Sequence, residues 1–123
     1  MTLSRIVMRL ARNPGTEFAD GDDHRGYTLV APLTADGMID EAAYGGAKDQ
    51  CTVRRFTPDD DPMEGHLRRR GNGKWFFDYE DGEEDDEAVH RLGEHRFDVG
   101  EYVSVADEDG RPLAYKVVEV TTI

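Results

Sequence analysis

Residues 68–87 read RRRGNGKWFFDYEDGEEDDE, and two opposed chemistries meet in them. Three arginines, a glycine-rich turn and four aromatic residues could form a platform. The bases of a single-stranded nucleic acid would stack on the rings while the guanidinium groups hold its phosphates. Residues 78–87 then carry eight acids and no base. They would repel such a ligand over the screening distance of about 8–10 Å. They suit a different one. Carboxylates on a loop, here Glu80, Asp81, Glu83, Glu84, Asp85, Asp86 and Glu87, attract a basic protein surface and speed its arrival.

Which chemistry the stretch presents depends on hairpin register. With a two-residue Asn72-Gly73 loop, Arg70 stands opposite Trp75, Arg68 opposite Phe77 and His66 opposite Tyr79, so arginines and aromatics share a face. With a three-residue Gly71-Asn72-Gly73 loop, Arg69 stands opposite Trp75 and Leu67 opposite Phe77. Leu67, Trp75, Phe77 and Tyr79 then share the core face, while His66, Arg68, Arg70, Lys74, Phe76 and Asp78 look outward. A one-residue slip exchanges the faces. The second register is favoured because burying unpaired arginines costs far more than exposing Phe76. It leaves Arg69 inward, stacked on Trp75 or reaching a carboxylate at the rim. The nucleic-acid candidates are then Arg68, Arg70, Lys74 and Phe76, with Arg54 and Arg55 of the preceding strand.

Other chemistry finds little footing. With Gly82 at the sixth position of a calcium loop, Phe77 falls first; with Gly110 there, Val105 falls first and Lys116 last. His24, His66, His90 and His95 form no HxxxH pair, and HRLGEH offers too few converging ligands for zinc. Cys51 stands without a nucleophile motif around it and reads as a buried thiol. No phosphate-binding glycine loop or serine elbow occurs. No catalytic constellation is legible, so an enzyme is the less favoured class, and no cofactor or metal is expected.

Composition sets the frame. The 123 residues suit one domain, 1–123, and 37% hydrophobic residues allow a real core. The formal net charge is −12, with 27 acids against 15 bases. Without residues 78–87, 19 acids face 15 bases, so most of the charge is local. A single cysteine excludes an internal disulfide and suits a reducing cytoplasm. Arg5, Arg9 and Arg12 break the N-terminal apolar residues, which therefore read as neither a secretory signal nor a membrane span.

The elements that must position these residues are mostly strands. Strands are expected at 3–11, 26–33, 51–56, 66–70, 74–79, 88–92, 100–106 and 112–120, with loops at 12–26 and 57–65. One short helix is expected near 39–50, capped by Asp40, stapled by Ile39 on Tyr44 and cut short by Gly45-Gly46. In RFDVGEYVSV the glycine turns the chain sharply into a strand whose Val103 and Val105 face inward. The fold class is mainly β, a small antiparallel barrel or coiled sheet of about six to eight short strands with one helix beside it. ARNPGTEFADGDDHRGYTLVAPL and RLGEHRFDVGEYVSV resemble stretches of short bacterial proteins of uncharacterised function, which implies a small bacterial protein and no particular activity. The favoured function is a binding or regulatory module that meets a protein partner through its acidic loop. The alternative is a single-stranded nucleic-acid-binding barrel using the outer face of the 66–79 hairpin. A third is a small-molecule-binding barrel or an enzyme with a site at the barrel mouth.

Overall fold

In LSRIVMRL, Ser4, Ile6, Met8 and Leu10 are buried and Arg5 is exposed, the period of two that makes a half-buried strand. This is β1 (Leu3–Leu10). The computed structural model describes residues 3–69, 75–79, 87–89 (backbone only), 95–106 and 111–123. The same alternation builds β2 (Asp22–Pro32), β3 (Thr52–Phe56), β4 (Met63–Arg69), β5 (Trp75–Tyr79), β7 (Tyr102–Ala106) and β8 (Pro112–Thr122). A three-residue strand, β6 (Glu87–Val89), lies between β5 and β7.

Each strand pairs antiparallel with the next in sequence, and β8 returns to β1, so the sheet closes into an up-and-down barrel. Eight strands leave an interior just wide enough for side chains. Here Tyr27 is its hub. Its ring centroid lies 5.1 Å from that of Phe77 and 4.9 Å from that of Tyr115, tilted or edge-on to each. Such pairs are worth about 0.5–1.5 kcal/mol each beyond the area they bury. Ile6, Met8, Leu29, Val53, Leu67, Val103, Val105 and Val117 pack around them, all buried.

The hairpin register is the three-residue one. Leu67 stands opposite Phe77, Arg68 opposite Phe76 and Arg69 opposite Trp75. Trp75, Phe77 and Tyr79 are buried. Arg69 does both things expected of it. Its guanidinium lies 5.6 Å from the Trp75 ring centroid and 3.2 Å from the Glu41 carboxylate.

The helix near 39–50 is shorter than the sequence pattern. Asp40 caps it as expected, its carboxylate accepting from the Ala43 amide, but α1 spans only Glu41–Gly45 and stops at Gly46. A 3-10 turn follows at Lys48–Gln50. Tyr44 fixes α1 beside the barrel end. Its ring meets Trp75 edge-on at 4.8 Å, and its hydroxyl donates to the Leu67 carbonyl at 2.8 Å.

Two strands begin earlier than their composition suggests. β2 starts at Asp22 inside the stretch read as a polar loop, and β4 starts at Met63 inside the stretch read as a loop to 65. In β4 the inward positions Met63, Gly65 and Leu67 continue the alternation. Gly65 is required by close approach, because a Cβ there would run into the Asp78 carbonyl, 2.8 Å from its carbon and from the Tyr79 Cα. The turn into β7 passes through Gly100 at φ +98°, the left-handed conformation that favours glycine.

Gly65→Ala is expected to destabilise the protein by about 1–3 kcal/mol, since backbone cannot yield as a flexible side chain does. Urea unfolding of the variant beside wild type checks this, and an unchanged midpoint would mean that β4 and β5 are not so closely apposed.

Candidate functional site

An up-and-down winding sorts connections by parity. Those after odd-numbered strands (11–21, 57–62, 80–86 and 107–111) join strand ends at one end of the barrel. Those after even-numbered strands (33–51, 70–74 and 90–101) join strand ends at the other. The four odd connections carry 14 of the 27 acids and two of the 15 bases, a balance of −12, which is the whole net charge of the chain. The remainder of the molecule is neutral.

Of the acidic residues singled out in the sequence, Glu80, Asp81, Glu83, Glu84, Asp85 and Asp86 lie outside the described residues, and Glu87 opens β6. The described part of the acidic end is held together from 11–21. Asn13 is buried and acts as a short piece of strand, accepting from the Ala114 amide at 2.8 Å and donating to the Ala114 and Ala11 carbonyls. Glu17 accepts from both terminal nitrogens of Arg111, Nη1 and Nη2, at 2.9 Å each, a bidentate pair that ties 11–21 to the start of β8. Those hydrogen bonds hold the Glu17 carboxyl down to about 2, from an ordinary 4.5.

The basic candidates do not form one face. Arg54 points outward and pairs with Glu64 at 3.9 Å. Arg55, the next residue, stands opposite Tyr27 and Met63 on the inward side, because strand neighbours alternate. Grouping Arg54 with Arg55 on one outer face is thereby corrected. Arg68 donates to the Lys48 carbonyl at 3.3 Å and stands 4.0 Å from Asp49. Phe76 is half-buried. Arg70 and Lys74 lie outside the described residues.

A concave surface on the barrel wall was not singled out in the sequence. Outward residues directly opposite one another form a row across five strands, running Tyr102, Lys116, Arg9, Gly26, Phe56. At Gly26 no side chain intervenes, and the Arg9 guanidinium lies 5.8 Å from the Phe56 ring centroid. Bulges flank the row on both sides of β1. Val118 is the extra residue opposite β1, and Asp23, His24 and Arg25 are extra in β2. Bulges open and twist a sheet locally. Here they border a groove of about 500 Å³ against Arg9, Arg12, Tyr102 and Lys116. No signal in the linear sequence marks this row, since its members come from strands far apart in the chain.

No family model, curated protein or solved structure matches this chain. Among the described residues, no group of three or more His, Cys, Asp or Glu side chains is placed to hold a metal ion, and no helix is long and apolar enough to cross a membrane. Cys51 is fully buried, and burial pushes its thiol up to about 11.

Two outcomes follow. Glu17 contributes stability above its unfolded value near 4.5, and that contribution is lost as pH falls toward 2. Glu17→Gln is thus expected to be less stable than wild type at pH 6, by a margin that shrinks as pH falls toward 2 and closes below it, measured by thermal unfolding; a constant difference would deny the pairing with Arg111. Cys51 is expected to react with an aromatic disulfide only as fast as the chain unfolds, and rapid labelling of the native protein would contradict its burial.

Proposed function

We propose that this protein is a small binding module whose partner is a basic protein surface, met at the barrel end that collects the odd connections. The observation that carries the reading is the segregation of charge. A chain that needed acid only for solubility could scatter it, and the remaining surface here is neutral. A field concentrated at one end of a closed barrel orients an approaching partner and raises its association rate, with a strong dependence on salt. Arg54 and Arg68 already face carboxylates, which weakens the nucleic-acid reading of the hairpin face. A bacterial cytoplasm is the setting proposed, on the single buried cysteine and on the resemblance to short bacterial proteins.

The test holds net charge constant. One variant neutralises Asp60, Glu84, Asp85 and Asp86 of the odd connections; a second neutralises Asp36, Asp49, Glu101 and Glu119 elsewhere, each acid replaced by its amide. Capture of partners from nuclease-treated bacterial lysate at low salt is expected to be lost in the first and kept in the second. Equal loss in both, or capture that nuclease abolishes in wild type, would remove the reading.

A further inference from the structure

The groove beside β1 has a composition that packing and solubility do not account for. Tyr102 is 56% exposed and Val118 is 38% exposed, two of the four large hydrophobic residues that the described surface leaves open, and both border the groove. Lys116 stands directly between Tyr102 and Arg9 in the row. Neither Lys116 nor Arg12 has an ion-pair partner among the described residues, whereas arginines elsewhere on the surface, such as Arg5, Arg54 and Arg96, face carboxylates. Arg9 is held in place from two sides. Its guanidinium rests over Phe56, and its Nη1 donates to the Asp23 carbonyl. A guanidinium has five N–H donors, so this anchoring leaves donors for a ligand and lowers the entropy cost of using them.

We propose that this groove binds a small anion attached to a planar ring, with Arg9, Arg12 and Lys116 taking the anionic head and Tyr102 stacking on the ring. A phosphate and a carboxylate share the chemistry of the head. The volume of about 500 Å³ falls in the range of about 300–1,000 Å³ usual for small-ligand sites. Asp20 and Asp23 also border the groove. Their carboxylates, with the acidic connections nearby, oppose a long polyanion and select a ligand with one charged head. They can accept hydrogen bonds from its N–H or O–H groups. This site lies on the barrel wall and borders the acidic end, with which it shares Arg12 and Asp20 of the 11–21 connection.

The experiment is a titration of the whole isotope-labelled protein, followed through its backbone amide resonances, with phenyl phosphate, benzoate, inorganic phosphate and a short single-stranded oligonucleotide. Phenyl phosphate at millimolar concentration is expected to shift amides of residues 9–12, 102 and 116, and to bind about tenfold more tightly than inorganic phosphate, the increment that one stacking contact supplies. Benzoate in place of phenyl phosphate would show a carboxylate-led site of the same class. Tyr102→Ala is expected to remove the advantage of the ring and leave inorganic phosphate unaffected. Lys116→Gln is expected to weaken both, and Arg5→Gln neither. All three substituted side chains are outward, so folding is preserved, and unchanged amide spectra outside the groove verify it. No shifts with any ring-bearing anion, equal affinity with and without the ring, or tighter binding of the oligonucleotide would overturn the proposal.

Discussion

The ladder between the first and last strands is the contact on which the rest of the molecule depends. β1 and β8 pair from Ser4 opposite Thr122 to Leu10 opposite Tyr115, and the Ile123 amide adds a bond to the Leu3 carbonyl. These strands are more than a hundred residues apart in the chain. Without their pairing, each would present a row of unpaired amides and carbonyls, the exposed edge that invites association with other chains. Closure also creates the interior. Only when β8 meets β1 is Tyr115 brought onto Tyr27, which already packs on Phe77, and the three rings fill the width that eight strands enclose.

The same winding places charge. Because every strand is followed by its neighbour, connections alternate between ends, and among the described residues the acids Glu17, Asp20, Asp59, Asp60 and Asp61 converge at one of them. Convergence has a cost in self-repulsion. The described part of that end shows how it is offset, with the buried Asn13 amide and the bidentate Arg111–Glu17 pair tying 11–21 to the wall. The bulges beside β1 perform a second task. The shift at Val7/Met8 leaves Arg9 opposite Lys116 in line with Tyr102, and the shift at Arg9/Leu10 adds Asp23, His24 and Arg25 beside the row, where the groove lies.

Much of this architecture is legible in the residues. The hairpin register follows from one comparison of energies, buried arginines against an exposed phenylalanine, and Leu67 opposite Phe77 bears it out. Asp40 and Gly45-Gly46 mark the limits of α1 through ordinary capping chemistry. The starts of β2 and β4 are not legible, because Asp22 and Gly65 have the composition of a loop while their backbones pair as strand. Strand pairing overrides local preference there. Arg54 and Arg55 look like one patch in the sequence and separate to opposite sides of the sheet. The outward row escapes for the opposite reason, since Phe56, Arg9, Lys116 and Tyr102 become neighbours only through register across four ladders.

The most direct test of the account is whether the barrel closes in solution. Cross-strand proton contacts between Arg5 and Thr121, and between Val7 and Glu119, report on that seam by nuclear Overhauser measurement. A closed barrel predicts both contacts, together with slow amide exchange along β1 and β8. Absent contacts with fast exchange along both strands would describe an open sheet, and the filled interior, the aligned row and the groove beside it would all lose their basis.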